Sequence, residues 1–378
     1  MSLLLNGTDG VTYNDGTLQS SAPVGRNRII NGNMQIAQRG TSAAGVTNDY
    51  ATCDRFLIRN NNAGLYTITQ DTDAPDGFGN SLKWDCTTAD ASPAAGDFAI
   101  LQYRTEGQDL QQLAFGTPSA QQFTVSFWVK SSETGTAVLR IAATNSGNVM
   151  QGHTYTISSA NTWEKKTITF TANTSDVIPN DNLIGFNLYW YLATGTDRTS
   201  GTLPTTTWEA YLTANEAVGQ TINIASSIGS YFNITGVQLE VGTTATDFEN
   251  LQYGTQLQLC QRYYQKSYDI TTAVPTNTAA PGLVGFPSVG NTVIPNSHRL
   301  GMIWIKTSMR ASPTVSIYSY TSSTPSVVSN GIGTDLAANS GRVEWQGDNS
   351  FVVYNGSGTT ITPSNGAVIC HYSASSEL

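Results

Sequence analysis

The stretch Phe123-Thr-Val-Ser-Phe-Trp-Val129 places Phe123, Val125, Phe127 and Val129 on one side of an extended chain, because successive side chains of a strand point to opposite faces. Trp128 then points away from them. Runs of the same kind stand nearby: Trp163-Glu-Lys-Lys-Thr-Ile-Thr-Phe170, Leu183-Ile-Gly-Phe-Asn-Leu-Tyr-Trp-Tyr191 and Phe232-Asn-Ile-Thr-Gly-Val-Gln-Leu-Glu-Val241. Strands about ten residues long joined by polar loops predict a jelly-roll β-sandwich over residues 45–250.

The same patterning returns after residue 266 in Met302-Ile-Trp-Ile305, Thr314-Val-Ser-Ile-Tyr318 and Ser350-Phe-Val-Val-Tyr354, set apart by Gly, Asn and Ser turns. A second, smaller sandwich is expected over 267–378. Between the two, Leu257, Cys260 and Tyr264 recur at i, i+3 and i+7 among glutamines. This predicts a short helical connector over 251–266, whose apolar stripe needs a neighbouring domain or the equivalent helix of another subunit. Residues 1–44 read as short turn-rich pieces, with Asn14-Asp15-Gly16 suited to a hairpin turn. They are too few to hold a core. The class is all-β: an N-terminal segment, two sandwiches and one short helix within 378 residues.

Composition narrows the function classes. Hydrophobic residues make up 39% of the chain but charged ones only 12%, so the surface is polar and largely neutral. A net charge of −9 without clustered Lys and Arg argues against nucleic acid as a partner. Residues 266–378 hold five basic and five acidic groups, so the negative excess lies before them and supports a boundary near 265. Cys53, Cys86, Cys260 and Cys370 show no CxxC spacing, and His153, His298 and His371 are scattered. Neither a zinc site nor a disulfide framework is signalled. The opening MSLLLNGTDG has no basic region and too short an apolar run for a signal peptide or a membrane span. The expectation is a protein kept in a cytoplasm until released, without membrane insertion. No long repeat, Gly-x-y period or heptad run is present.

Asn27-Arg-Ile-Ile-Asn-Gly-Asn-Met-Gln-Ile-Ala-Gln-Arg-Gly40, followed by Ala51-Thr-Cys-Asp-Arg-Phe56, resembles the opening of bacteriophage and prophage tail appendage proteins that carry a carbohydrate-binding-module-like jelly roll. The resemblance returns at Phe123-Thr-Val-Ser-Phe-Trp-Val-Lys-Ser-Ser132, and at Val237-Gln-Leu-Glu-Val-Gly-Thr-Thr-Ala-Thr-Asp-Phe-Glu249 running into Leu259-Cys-Gln-Arg-Tyr-Tyr-Gln-Lys266. A weaker echo stands at Met309-Arg-Ala-Ser-Pro-Thr-Val315, and 316–378 are unmatched. Leu5 to Ser20 is similar to the attachment tip of short marine-phage appendages. The resemblance implies a homotrimeric tail fibre or spike subunit in the virion, assembled in the host cytoplasm. Its N-terminus would dock to other tail or baseplate proteins, and its distal β domains would meet a host cell-surface glycan.

Sugar recognition needs exposed rings that stack on a pyranose, with polar groups nearby for its hydroxyls. The candidates are aromatics outside the core alternation: Trp128, Trp190 and Trp208, with Tyr189 and Tyr191 on the face opposite Trp190, and Tyr318 and Tyr320 in the C-terminal domain. Trp84, in phase with Leu82 and Cys86, is expected in the core. Jelly rolls of this kind often hold a structural calcium, which takes several oxygen ligands, and Asp54, Asp85 and Glu240 lie on motif-like segments. No other cofactor is expected. No motif pairs two carboxylates for glycoside hydrolysis or builds a Ser-His-Asp arrangement. The expected role is therefore a non-catalytic adhesin, with a polysaccharide-depolymerising spike or a purely architectural connector as the alternatives.

Overall fold

The computed structural model describes residues 25–278, 282–287, 293–358, 360–363 and 367–378, together with short strands at 4–6, 10–12 and 18–19 that pair antiparallel in that order. The turn expected at 14–16 lies outside the described residues, as does most of the attachment-tip stretch 5–20.

Two antiparallel sheets form the large sandwich. The six-stranded sheet runs Glu164–Phe170, Phe123–Ser131, Tyr231–Val241, Ser81–Thr88, Leu65–Asp71, Ser42–Ala44. The seven-stranded sheet runs Glu209–Ala210, Val149–Ile157, Gly135–Ala143, Ile184–Thr194, Phe98–Glu106, Phe56–Asn61, Asn48–Asp49. Phe123, Val125, Phe127 and Val129 are fully buried between them, as the alternation requires. Phe123 stacks on Phe170 at 5.2 Å and on Phe186 at 5.3 Å. Each such side chain removed from water contributes about 1.5–3 kcal/mol. Trp84 also lies in this core, edge-on to Tyr66.

The strand Tyr231–Val241 does not keep one phase. Phe232 and Ile234 face the core, and so do Val237 and Leu239, although Val237 follows Ile234 by three positions rather than two. A β-bulge opposite Phe127 absorbs the extra residue, where the pairing passes from Ser126↔Gln238 to Trp128↔Thr235. Gly236 sits in it with φ +62, and a Cβ there would lie 2.7 Å from Phe78 and 3.0 Å from Trp128. Without the bulge Val237 and Leu239 would turn away from the core.

Residues 25–44 pack on this sandwich instead of forming a separate segment. Ser42–Ala44 is an edge strand, Arg28 N donates to Leu239 O at 2.9 Å, and Met34 and Ile36 are fully buried. The helix is shorter than its sequence period suggests. It spans Tyr253–Gln261, and Tyr264–Lys266 is a strand paired with Ser373, Ala374 and Ser375. In the C-terminal sandwich the strand Ala367–Ser375 pairs with Tyr264–Lys266, Val284–Pro287, Thr314–Tyr318 and Ser329–Asn330. A three-stranded sheet, Arg299–Trp304, Ser350–Tyr354 and Arg342–Glu344, covers the other side of a core around Phe351, Ile317 and Cys370. All four cysteines are free and buried.

A charged seam joins the sandwiches. Glu106, fully buried, accepts from Arg262 Nε at 3.0 Å, from Arg262 Nη2 at 2.9 Å and from the Tyr263 hydroxyl. Glu377 takes up Arg55 and, at 3.1 Å, Arg39. The Arg55 guanidinium lies 3.4 Å over the Tyr263 ring and that of Arg39 lies 3.8 Å over Tyr264. Arg310 Nη1 donates to Asn182 O at 2.7 Å, and Asn182 Nδ2 to Arg310 O at 2.8 Å.

Candidate functional site

On the outer face of the seven-stranded sheet, side chains out of phase with the core line a cleft of ≈ 230 Å³. Along Ile184–Thr194, Phe186, Leu188, Trp190 and Leu192 go inward, which leaves Tyr189 and Tyr191 on the cleft side. Gly135–Ala143 contributes Arg140 between the inward Leu139 and Ile141, and Phe98–Glu106 contributes Phe98 and Ile100. Arg59 comes from Phe56–Asn61. Arg198, Tyr211 and Glu216 come from the long connection that follows Thr194 and folds over this face.

Glu216 is the electrostatic centre. Its Oε1 accepts from Arg140 Nη2 at 3.1 Å and from the Tyr211 hydroxyl at 2.9 Å, and its Oε2 lies 2.9 Å from Arg198 Nε. Arg140 Nε also donates to the Tyr191 hydroxyl at 3.1 Å, and its guanidinium lies 4.1 Å over the Tyr189 ring. Burial opposes charge on Arg140, but Tyr191, Glu216 and Tyr189 outweigh it and hold the guanidinium above its ordinary pKa. Burial raises the Tyr191 and Tyr211 phenols, so both stay protonated at neutral pH. The cleft thus combines fixed charge-assisted hydrogen-bonding groups with ring faces. Tyr211 is 40% exposed, whereas Tyr189 lies under Arg140 and the half-buried Phe98 lies 4.2 Å under Arg198.

Of the seven aromatics chosen from sequence, Tyr189 and Tyr191 are brought together here. Trp190 is a correction: it is fully buried and edge-on to Phe127 at 5.8 Å, so no face is open to a ligand. Trp208 is another: it stacks on Phe186 at 5.7 Å, packs edge-on to Phe115 and donates Nε1 to Thr171 O at 2.8 Å, closing one end of the core. Trp128 lies half-buried on the outer face of the other sheet, away from the cleft. Tyr318 and Tyr320 are half-buried, and their hydroxyls meet Ser373 Oγ and Asn330 O at 3.3 Å each.

The three proposed calcium ligands do not converge. Asp54 accepts from Gln38 N at 2.9 Å and Gln38 Nε2 at 2.5 Å, Asp85 lies 3.6 Å from Lys83, and Glu240 accepts from Thr246 N and Oγ1 at 2.9 and 2.7 Å. Among the described residues no group of three or more His, Cys, Asp or Glu is placed to hold a metal ion. Arg140 was legible as a charge inside an apolar strand, and it is the signal the sequence reading passed over. Arg59, Phe98, Arg198, Tyr211 and Glu216 were also missed.

No protein-family model and no curated protein matches the chain. Solved structures similar to part of it include the enzymatically active domain of a bacteriophage CBA120 tailspike protein, at 13% identity and TM-score 0.32, covering 57% of this chain and 22% of that one. A putative sugar-binding protein from Bacteroides thetaiotaomicron matches at 16% identity and TM-score 0.33, covering 57% and 100%. A family 11 carbohydrate-binding module from Clostridium thermocellum, in complex with a β-1,3-1,4-mixed-linked tetrasaccharide, matches at 12% and TM-score 0.28, covering 55% and 99%. The chain thus spans about a fifth of the tailspike domain it resembles and nearly all of the two sugar-binding structures.

Proposed function

We propose that the chain is a non-catalytic structural subunit of a bacteriophage tail fibre or spike, and that the cleft on its seven-stranded sheet binds a host-surface glycan. The observation that carries glycan recognition is the cleft itself, where Tyr211 offers ring surface beside the Arg140–Glu216–Arg198 array. A pyranose presents an apolar C–H face and a rim of hydroxyls, and this combination meets both. The ordered sequence motifs at 27–40, 51–56, 123–132 and 237–266 support the tail assignment, with a homotrimer, virion-side tail partners and a place in the virion as its corollaries.

Glu216 is the sole carboxylate among the described lining residues, and Arg140, Arg198 and Tyr211 hold it. Glycoside hydrolysis uses two carboxyl groups about 5–9.5 Å apart across the bond. This favours binding without cleavage.

The test is binding of the purified chain to host cell-envelope polysaccharide by calorimetry, with Tyr211→Ala as the variant. Loss of about 1.5–3 kcal/mol of ring burial weakens binding roughly 10- to 100-fold. Unchanged affinity in Tyr211→Ala removes the cleft from the reading, and release of reducing sugar removes its non-catalytic part. A mass in solution of about three times 40.4 kDa is expected for the homotrimer.

A further inference from the structure

Resting on the glycan reading of this cleft, the charge distribution within it points to a ligand class: we propose that it is built for an anionic glycan, one whose sugars carry carboxylate groups. The chain as a whole is acidic, with net charge −9 and 18 basic residues spread over 378. Yet the described residues lining this one cleft include three guanidiniums, Arg59, Arg140 and Arg198, against one carboxylate, Glu216, an excess of two positive charges.

The three arginines are not equivalent. Arg140 is spent internally: its Nε, Nη1 and Nη2 face Tyr191 OH, Met150 Sδ and Glu216 Oε1. Arg198 turns Nε toward Glu216 and donates Nη1 to Gly96 O at 3.0 Å, which leaves Nη2 for a ligand. Arg59, half-buried, stands 5.5 Å from the centre of the Phe98 ring, and the Arg198 guanidinium stands 4.2 Å from the same ring. Two cations therefore flank one aromatic ring, and no carboxylate among the described residues forms an ion pair with Arg59. A guanidinium that stands in a concave site with no counter-ion among the described residues attracts an anion undiminished by a competing carboxylate. Its planar fork matches a carboxylate, and the exposed Tyr211 ring in the same cleft matches the apolar face of the sugar that carries one. A neutral glycan would gain no charge attraction from Arg59.

The experiment is a glycan microarray with the full chain, using matched pairs that differ in charge alone, such as uronic-acid oligosaccharides and their methyl esters and sialylated glycans and their desialylated cores. The best pair is then followed by calorimetry from about 0.05 to 0.5 M salt, a range over which exposed charge interactions become screened. The expected result is at least a tenfold preference for the charged member, falling with salt. In Arg59→Gln, whose outward position on an edge-proximal strand is not part of the core, that preference falls several-fold, while the melting temperature confirms folding. Equal binding of charged and neutral members, a salt-independent preference, or an undiminished preference in folded Arg59→Gln each overturns the anionic class and leaves the glycan reading standing. Binding to no glycan overturns both.

Discussion

Replacing Glu106 by Gln tests whether the seam between the sandwiches is held by charge. Glu106 has no solvent exposure and accepts two hydrogen bonds from Arg262 and one each from Tyr263 OH and Gln108 Nε2. A glutamine of the same shape keeps one acceptor oxygen but turns an NH2 toward donors, so at least one guanidinium N–H loses its partner. Removing one member of a buried ion pair costs about 3–5 kcal/mol. Arg262 keeps 32% side-chain exposure, so water takes up part of its charge and the lower end, about 3 kcal/mol, is expected. For a cooperative unit of this size about 1 kcal/mol moves Tm by roughly 2–4 °C, so calorimetry should show a fall of roughly 6–12 °C. A double-mutant cycle with Arg262→Met isolates the pair, and a coupling of at least about 1 kcal/mol is expected. A Tm within about 2 °C of the parent, with no coupling in the cycle, would refute the argument and leave apolar contact as the cement.

Trp190→Ala should destabilise by about 3–5 kcal/mol through the cavity it leaves, read as a lowered denaturant midpoint, and any loss of glycan binding should track unfolding. Burial lifts the Asp54 carboxyl to about 6, against the pull of Arg39 and Gln38. A folded-state pKa above the unfolded one means that its contribution to stability is fully present below about pH 4 and is lost as pH rises through 6, on the order of 2–3 kcal/mol. The parent minus Asp54→Asn difference in unfolding free energy should therefore become less favourable to the parent between pH 4 and 7, and a flat difference would exclude Asp54 as its source.

Much of the large sandwich was legible because its strands turn one apolar face to the main core, and a period of two survives in Phe123 to Val129 and in Phe186 to Leu192. What failed was continuity. The bulge at Gly236 shifts the phase midway along Phe232 to Val241, and only the neighbouring strand shows it. Tyr264 fits a helical stripe extended from Cys260, but its strand partner lies near Ser375, beyond any local pattern. Three of the separated motifs meet one another in the fold, which the sequence order does not show: Asn31 donates to Asp54 O, Asn27 N to Glu249, and Gln38 to Tyr264 O. The cleft was half visible. Tyr189 and Tyr191 follow from alternation, whereas Tyr211 and Glu216 sit on a connection with no period, placed by the pairing of Glu216 with Arg140 on another strand.

The strand Ala367–Ser375 pairs with four others and is followed by Glu377, the counter-ion of Arg55 and Arg39. On a ribosome that order becomes a timetable. Arg55 and Glu377 are 322 positions apart, and at about 5–20 residues per second the arginine waits roughly 16–64 s for its partner. Late in that interval, as each of the four partner strands from Tyr264–Lys266 to Ser329–Asn330 is completed, it presents an open edge, the state most exposed to pairing with a neighbouring nascent chain. Arrival of this strand closes those edges and neutralises both arginines together, so completion of the C-terminal sandwich and locking of the seam are one late event.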